Sequence, residues 1–364
     1  MLSHRNRTLI QVSGSLESKL GGPHSVVMST NDILAANFDH KLIVFGSCSI
    51  QDTQIKVLPT LRNNRYGLPS LKIKRSGLNE FRHADILLIH GFYLFSTLIA
   101  LFYFPTRNVY LMPHGSLEAY QNKKGRVRKY LFRKVVEGLL RGRKIHFLVG
   151  SDSETISILQ IYPGVKVTVV GLGIDTTLVS VGKSTGPKEP VKLFCLSRIS
   201  EKKRIDLCIK ALSKLNSSKQ RYTLEIIGSG DLTLENELRN LVSDLNLDGD
   251  VTFSGFLEGV QKTDAILRSD IFLLPSENEN FAVAVAESIS LGKPVVVSKF
   301  VAMHEFVDRH RTGITLNSLK VDTLVEAIEN VHSNYAAFQE KCLESAHLLD
   351  WKEVQKKWLQ VLKS

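Results

Sequence analysis

Short apolar runs rich in β-branched residues recur along this chain and alternate with segments of helical periodicity. In the first half we predict strands at Leu9–Val12, Leu42–Phe45, Ile86–Ile89, Val109–Met112, His146–Val149 and Val167–Val170. In the second half we predict strands at Lys192–Leu196, Thr223–Ile227, Val251–Phe253, Ile271–Leu274 and Pro294–Val297, and helices at Asp206–Leu215, Leu234–Leu245 and Val283–Leu291. Such alternation is typical of an α/β protein with parallel, doubly wound sheets, whose ligands bind at the carboxyl ends of the strands.

The alternation stops once, at residues 182–190, and then restarts. This stretch (GKSTGPKEP) has the composition of a linker, and a chain of 364 residues is longer than one hydrophobic core usually organises. We therefore predict an N-terminal Rossmann-like domain over 1–183 and a C-terminal one over 184–350, facing a central cleft. The apolar spacing within 351–364 predicts a last helix that packs back on the first domain.

Two glutamates flank the start of the helix predicted at Val283–Leu291. Glu279 lies in the polar loop before this helix, and Glu287 lies inside it among apolar residues. Each is consistent with a solvated residue, but an unpartnered carboxylate in apolar surroundings is costly, which favours a functional partner for Glu287. The backbone N–H groups of Phe281 and Ala282 lie at the helix N-terminus, where a phosphate or sugar oxygen is favoured.

A group of basic residues follows the first strand of the second half. Arg198 and Lys203 lie in the sequence LSRISEKKRID, at the carboxyl end of that strand. Two cations there suit a diphosphate, because they stabilise the charge that develops on a leaving group. A solvated basic turn is the alternative interpretation. Asn280, next to Glu279, offers further hydrogen bonds to a bound ligand.

Both segments resemble the retaining GT-B glycosyltransferases of the large bacterial group-one glycosyl transferase family. The family pattern is Glu, seven residues, Glu and then a Gly-x-Pro-Val-Val strand entry. The residues that fall on this pattern are Glu279, Phe281, Glu287, Gly292, Pro294 and Val295. Arg198 and Lys203 match the family's Arg-x4-Lys element. The chain departs from the family at three positions where Gly is common, which hold Arg204, Asn280 and Ala282.

The resemblance implies a role for each matched residue. Arg198 and Lys203 would hold the donor phosphates, Glu279 the hydroxyls of the donor sugar, and Glu287 the ribose of the nucleotide. It also implies a hexosyltransferase that retains the anomeric configuration and needs neither a metal nor a further cofactor. The Asp-x-Asp sequence at 248–250 is a metal signature of another glycosyltransferase fold, but it precedes a strand and is interpreted as a turn.

Three further elements resemble the family. They are Gly22 in a Gly-Gly-Pro loop, Gly228 in a Gly-Ser-Gly turn, and His114 in a Pro-His-Gly sequence after a strand. Taken alone, the glycines are consistent with ordinary turns, and a solitary His is more often structural. The resemblance implies that both glycines approach the donor and that His114 contacts the donor sugar or positions the acceptor. His90-Gly91 resembles a further family element.

Charge and hydropathy bear on partners and location. The formal net charge is +11, which favours anionic partners, and ten Lys or Arg with an apolar stripe within 121–144 predict either a membrane-surface helix or a solvated one. The uncharged segment 86–104 has the length of a membrane span, although a strand, a turn and a buried helix is the favoured interpretation. Four scattered cysteines favour a cytoplasmic protein, at the inner face of the cytoplasmic membrane if 121–144 contacts lipid.

These features predict transfer of a sugar from a nucleoside diphosphate sugar to a glycan or lipid-linked glycan acceptor. The resemblance implies a role in bacterial surface polysaccharide or lipopolysaccharide synthesis. One alternative is a nucleotide-sugar epimerase of the same fold, which converts its donor with no acceptor present. The other is a basic, non-enzymatic nucleic-acid-binding protein, but the chain carries no nucleic-acid motif, and we expect no nucleic-acid partner.

Overall fold

The chain divides into two compact units. The computed structural model describes residues 7–16, 22–48, 55–58, 82–118, 125–171, 173–174, 186–217 and 220–364. One unit comprises Met1–Gly171 with Gln355–Ser364, and the other comprises Leu172–Val354. Of the predicted linker, residues 182–185 lie outside the described residues, and residues 186–190 lead directly into the first strand of the second unit.

The first unit contains a parallel sheet whose seven described strands follow the order β3-β2-β1-β4-β5-β6-β7. The strands are β1 (Thr8–Ser13), β2 (Asp39–Phe45), β3 (Ile55–Leu58), β4 (Ile86–His90), β5 (Asn108–Met112), β6 (Lys144–Val149) and β7 (Lys166–Val169). The chain order reverses between β1 and β4, which is where an open parallel sheet leaves room for a ligand. β3 was not predicted from the sequence, because this short edge strand is half-exposed and lacks a continuous apolar run.

Helices cover the first sheet. They are α1 (Gly22–Asn37), α2 (Phe95–Tyr103), α3 (Arg126–Leu140) and α4 (Asp152–Ile161). The core lies where α2 and α3 pack on the sheet, and β4 is buried along its whole length, as expected of a central parallel strand. Ser151 caps α4 by accepting a hydrogen bond from the Glu154 N–H.

The apolar segment 86–104 forms a strand, a turn and a short helix. β4 ends at His90, and α2 has nine residues, Phe95–Tyr103. The guanidinium of Arg143 donates to the carbonyls of Leu101 and Phe104, which satisfies the end of this helix. The favoured interpretation of this segment is confirmed, and no helix among the described residues is long and apolar enough to cross a membrane.

The second unit contains a parallel sheet whose six described strands follow the order β10-β9-β8-β11-β12-β13. The strands are β8 (Val191–Leu196), β9 (Tyr222–Ile227), β10 (Val251–Gly255), β11 (Ile271–Leu274), β12 (Val295–Ser298) and β13 (Gly313–Leu316). Here the chain order reverses between β8 and β11. β13, a four-residue edge strand, was not predicted from the sequence. It begins with Gly313, where a Cβ atom would collide with the Val295 carbonyl oxygen of the neighbouring strand.

The helices of the second unit follow its strands in turn. They are α5 (Ile205–Leu215), α6 (Leu232–Asp244), α7 (Gly259–Leu267), α8 (Val283–Ser290), α9 (His304–His310), α10 (Val321–Ser333) and α11 (Tyr335–Ser345). A 3₁₀ turn, Glu201–Lys203, precedes α5. Residues 248–250 form a turn between α6 and β10, where Asp248 accepts from the Ser243 hydroxyl and Asp250 pairs with Arg221, so this interpretation is confirmed.

The last helix, α12 (Trp351–Lys363), begins in the second unit and ends in the first. Arg7 donates to the carbonyls of Leu362 and Lys363, and the Tyr110 hydroxyl donates to that of Val361. Each of the two units contains a parallel sheet with helices between its strands. The predicted fold class is therefore confirmed for each unit.

Candidate active site

The predicted donor residues of the second unit lie in two loops that follow adjacent strands. β8 ends at Leu196 and leads to the loop with Arg198 and Lys203, and β11 ends at Leu274 and leads to the loop with Glu279. Because these strands are paired at the point where the chain order reverses, the two loops meet at the carboxyl edge of the sheet. Parallel pairing thus brings together residues that are about eighty positions apart in the chain.

Glu279 is the centre of this cluster. One carboxylate oxygen lies 2.7 Å from Lys203 Nζ and 3.1 Å from Lys202 Nζ, and the Ser276 hydroxyl donates to the same oxygen at 3.2 Å. The side chain of Glu279 is only 13% exposed. Its backbone is held by a neighbouring loop, since its N–H donates to the Phe300 carbonyl. Lys202 and Ser276 were not predicted from the sequence.

Positive charge exceeds negative charge in this cluster. Burial opposes the ionisation of Glu279, but Lys203 and Lys202 outweigh it and hold the pKa of its carboxyl below the ordinary value. Burial lowers the pKa of Lys203, and although Glu279 opposes this effect, the nearby charges of Lys202 and Arg198 add to it. Lys202 and Lys203 therefore share one carboxylate, and the charge of Arg198 acts on Lys203, an arrangement that attracts a further anion.

Next to this cluster, each of the two loops contains a residue whose backbone adopts the left-handed conformation. Arg204, after the 3₁₀ turn, has φ 52°, and Ala282, at the start of α8, has φ 62°. Glycine adopts this conformation without a steric cost. The departures from the family pattern at these two positions thus keep the backbone shape and lose only the glycine. The guanidinium of Arg204 pairs with Asp206 and Glu277.

Glu287 does not join the Glu279 cluster. It lies on α8, keeps 21% exposure, and its carboxylate oxygen lies 2.6 Å from Nζ of Lys262 on α7. The sequence predicted a buried carboxylate with a functional partner, whereas the structure shows a partly exposed side chain that pairs with Lys262. Its proposed contact with a ribose stays a prediction.

The remaining predicted donor residues surround the start of α8 or lie at other turns. Phe281 is buried, and Asn280 is partly buried beside it. Gly228 has φ 137°, and an added Cβ would lie 1.9 Å from the Ser197 carbonyl oxygen, so close approach of two backbones requires glycine there. Gly22 is the first residue of α1, and Gly21 lies outside the described residues.

His114 lies in the first unit, in the loop after β5, with φ 53°. The loop is held by the buried Glu154, whose carboxylate accepts from the Gly115 N–H at 2.6 Å and from the Gly150 N–H at 3.2 Å. Burial lowers the pKa of His114 to about 4, so its ring is neutral at physiological pH. Glu154 lies at the N-terminus of α4 and was not identified from the sequence.

A chain of hydrogen bonds leads from His114 into the sheet. Its Nε2 lies 3.0 Å from Nδ1 of His90, the last residue of β4. His90 Nε2 lies 2.9 Å from the side-chain nitrogen of Gln11 on β1, and the Gln11 oxygen lies 3.0 Å from Nε2 of His40 on β2. Burial, with the neighbouring histidines, holds the pKa of His90 well below 6.5. Polar residues within otherwise apolar strands were the available signal for Gln11 and His40.

No group of three or more His, Cys, Asp or Glu side chains that would suit a metal ion occurs in the part of the chain that the structure describes. The cysteines Cys195, Cys208 and Cys342 are buried as free thiols, and Cys48 is partly exposed. The charged side chains described at the candidate site are those of lysine, arginine and glutamate.

Two parallel α/β units of this kind define the GT-B fold of glycosyltransferases. Residues 180–347 match the family model described as glycosyl transferases group 1. The predicted resemblance to the group-one glycosyl transferases is thereby confirmed over this part of the chain, which contains the Glu279 and Arg198 segments.

Relatives are similar over part or most of the chain. A putative colanic acid biosynthesis glycosyltransferase, WcaL, of Escherichia coli K12 is 28% identical over 157 residues, which are 42% of this chain and 38% of that protein. The glycogen synthase of Mycobacterium tuberculosis H37Rv is 26% identical over 292 residues, which are 78% of this chain and 70% of that protein. The chain thus spans about two fifths of the length of the first of these relatives.

Solved structures share the fold over nearly the whole chain. Anabaena Alr3699/HepE in complex with UDP and glucose has a TM-score of 0.77 and 16% identity, and the match covers 98% of this chain and 99% of that one. WaaG, a glycosyltransferase involved in lipopolysaccharide biosynthesis, has a TM-score of 0.71 and 14% identity, with 97% and 99% covered. At these identities the likeness establishes the GT-B fold alone.

Proposed function

We propose that the protein is a retaining glycosyltransferase that moves a sugar from a nucleoside diphosphate sugar to a glycan or lipid-linked glycan acceptor. The observation that carries the proposal is the surplus of positive charge around Glu279, whose carboxylate pairs with both Lys202 and Lys203, while the charge of Arg198 acts on Lys203. A donor diphosphate supplies the negative charge that this cluster lacks. Its leaving group gains charge as the glycosidic bond breaks, so cations fixed in advance lower the barrier.

Each site residue has a proposed part in the transfer. Arg198 and Lys203 stabilise the departing diphosphate, and Glu279 accepts hydrogen bonds from hydroxyls of the donor sugar. Glu287 accepts hydrogen bonds from the ribose, in competition with Lys262. The acceptor hydroxyl attacks the anomeric carbon from the face that the diphosphate leaves. The bond from that carbon to the phosphate oxygen breaks, this oxygen takes the proton of the hydroxyl, and the configuration at the anomeric carbon is retained. The lysines and the arginine supply the positive charge that a metal ion provides in other transferases.

The names of the similar proteins support a hexose donor and a surface-glycan acceptor. HepE was crystallised with UDP and with UDP-glucose, and WcaL and the O-antigen biosynthesis glycosyltransferase WclY of Escherichia coli are named for surface polysaccharides. We therefore propose a nucleoside diphosphate hexose as donor and a cytoplasmic role in the synthesis of a surface polysaccharide or lipopolysaccharide.

Donor binding is tested by thermal unfolding with a series of nucleoside diphosphate sugars, because a ligand that binds the native state raises the melting temperature. We expect one such sugar to stabilise the wild type, and Lys203→Met to abolish this stabilisation. Lys214→Met is the matched control, since Lys214 pairs with Asp322 on the exposed surface of the same unit. Donor stabilisation that survives in Lys203→Met, or conversion of the donor into an epimer without acceptor, contradicts the proposal.

We also propose that α3 contacts an anionic membrane surface. Val127, Leu131 and Val135 recur every fourth residue, so they share one face of the helix, and they are 75%, 59% and 53% exposed. The buried apolar residues of α3, Val136 and Leu140, lie on a different face. The exposed apolar stripe is flanked by Arg126, Arg128, Lys129, Arg133 and Lys134. A helix with this composition suits the boundary between lipid tails and anionic headgroups.

Co-sedimentation with vesicles tests this contact. We expect binding to phosphatidylglycerol vesicles that weakens by about tenfold or more in Leu131→Ser/Val135→Ser, because two apolar side chains no longer enter the lipid. Leu232→Ser/Val260→Ser is the control, since both residues are 76% exposed apolar residues of the second unit. Equal binding to neutral phosphatidylcholine vesicles, or no effect of the α3 substitutions, argues against a membrane contact through α3.

A further inference from the structure

In the chain of buried hydrogen bonds that ends at His114, the donor and the acceptor of each bond can be assigned. The Thr30 hydroxyl of α1 lies 2.8 Å from the Val26 carbonyl oxygen and 3.0 Å from that of Val27, so its proton is used within the helix. Its oxygen is then an acceptor, and the side-chain nitrogen of Gln11 donates to it at 3.0 Å. Thr30 thereby decides which end of the Gln11 amide carries the nitrogen.

The orientation of the Gln11 amide determines where the protons of the histidines lie. An amide nitrogen donates and does not accept, so His90 Nε2, 2.9 Å from it, must accept. A neutral imidazole carries one proton, and His90 therefore carries it on Nδ1. That Nδ1–H donates to His114 Nε2 at 3.0 Å, so the proton of a neutral His114 lies on its own Nδ1. At the other end, the Gln11 oxygen accepts from His40 Nε2–H.

Both histidines are neutral under ordinary conditions. Burial lowers the pKa of His114 to about 4, and burial with two nearby histidines lowers that of His90 further below its usual range. Each ring therefore has one donor and one acceptor, and the chain of contacts uses both nitrogens of His90 and one of His114. In the part of the chain that the structure describes, the ring of His114 forms its hydrogen bond through Nε2, to His90.

We infer that Gln11 and Thr30 are positioning residues that hold His114 in its Nδ1–H tautomer, so that His114 meets the substrate as a hydrogen-bond donor and not as a base. His114 Nε2 is occupied by His90, and the nitrogen left for a ligand carries the proton. The part of this inference that concerns substrate rests on the proposed function. The tautomer itself is a property of the free protein.

The first test reads the tautomers directly and does not need activity. Long-range ¹H–¹⁵N correlation spectra of histidine-labelled protein at pH 8 distinguish the two neutral tautomers, and the His114 signals are assigned by their loss in His114→Asn. We expect Nδ1–H for His114 and His90 and Nε2–H for His40. A His114 proton on Nε2 in the wild type overturns the inference.

Two substitutions test the control by Gln11 and Thr30. Gln11→Glu replaces the amide donor by an acceptor, so His90 and His114 are both expected to move their protons to Nε2. Thr30→Val removes the acceptor that orients the amide, and we expect a second tautomer population, whereas Thr30→Ser keeps the wild-type signals. His332, which lies near Tyr222 in the second unit, reports that the protein is folded. Unchanged His114 signals in folded Gln11→Glu and Thr30→Val overturn the assignment.

The second test reads the role of His114 in transfer. In His114→Asn the amide nitrogen replaces Nδ1, and in His114→Gln it replaces Nε2. We expect the asparagine variant to keep at least tenfold more kcat than the glutamine variant, and equal kcat values, or a higher kcat for glutamine, overturn the donor role. If the spectra show the expected tautomers but the wild type transfers no sugar, the proposed function fails and the assignment of the tautomers stands.

Discussion

The two units use the same position of the same fold for opposite chemistry. In each, the chain order of a parallel sheet reverses between two paired strands, β1 and β4 in the first unit and β8 and β11 in the second. At this position the first unit carries neutral histidines and an amide, buried and hydrogen-bonded to one another. The second unit carries three cations and one carboxylate in the loops beyond the strands.

The difference follows from where the polar groups lie along the strands. Gln11 and His90 belong to the strands themselves, inside the sheet, where ionisation is penalised and each donor needs an acceptor. Lys203 and Glu279 lie past the strand ends, where the opposite charges of the pair compensate each other for burial. The first unit is therefore suited to fixing the direction of hydrogen bonds, and the second to binding a charged group.

The largest expected effect is that of Glu279→Gln, which distinguishes binding of the diphosphate from orientation of the donor sugar. We predict that Glu279→Gln lowers transfer by about 100-fold, because the carboxylate that orients the sugar is lost. The same change leaves the cations with less negative charge, so UDP alone is expected to bind at least as tightly as to the wild type. Steady-state kinetics and UDP titration measure the two effects.

Glu277→Gln is the matched control for this prediction, since Glu277 lies in the same loop but pairs with Arg204. It is expected to keep most of the transfer activity. A loss of UDP affinity in Glu279→Gln would mean that Glu279 holds the phosphate-binding lysines in place and does not act on the sugar.

The next prediction concerns how the stability of each of the two units changes as the pH falls. Burial holds the pKa values of His90, His114 and His146 below 6.5, so protons bind these residues more readily in the unfolded chain. Their contribution to stability is complete above pH 6.5 and is lost as the pH falls toward 4. The pKa of Glu279 is also below its ordinary value, but its contribution is lost only as the pH falls below about 4.5.

We therefore predict that the melting temperature falls between pH 7 and pH 5, before Glu279 takes up a proton. His114→Gln should flatten this dependence by about 2 kcal/mol between pH 7 and pH 5, because a pKa shift from 6.5 to about 4 reaches its full effect of about 3 kcal/mol only below pH 4. His347→Gln, at an exposed histidine, should leave it unchanged. Melting curves across this pH range check the prediction, and an unaltered slope in His114→Gln contradicts it.

The fold was largely predictable because its signals are local. Apolar runs of four to six residues separated by helical periodicity indicate parallel strands, and the buried β4 and β11 are clear examples. The edge strands β3 and β13 were missed, because half-exposed strands of four residues carry no continuous apolar run. Lys203 and Glu279 were each predicted to follow the carboxyl end of a strand, whereas the ion pair between them became visible only in the structure.

The details of the two clusters were less predictable, because they depend on contacts between distant residues. Nothing in the local sequence indicates that Lys262 pairs with Glu287, or that Lys202 joins Lys203 at Glu279. The chain of hydrogen bonds from His114 to Gln11 depends on strand register and on the orientation of the Gln11 amide. A polar residue in an apolar strand marks such a network, but its partners become visible only in the folded chain.

The smallest expected effect concerns the two left-handed residues that border the charged cluster. A residue other than glycine in this conformation costs about 1–2 kcal/mol, and glycine loses about 0.5–1 kcal/mol more conformational entropy on folding than alanine. We predict that Ala282→Gly stabilises the protein by up to about 1 kcal/mol, whereas Ala284→Gly, inside α8, destabilises it by about the same amount. The midpoint of urea unfolding measures both changes.

Arg204→Gly gives a different result at a residue with nearly the same φ, 52° against 62°. The relief of backbone strain is the same, but the guanidinium loses its pairs with Asp206 and Glu277, each half-exposed and contributing roughly 0.2–1 kcal/mol. We therefore expect little net change in the urea midpoint. A stabilisation equal to that of Ala282→Gly would show that these ion pairs contribute nothing, and that the arginine is retained for its charge next to the cations of the site.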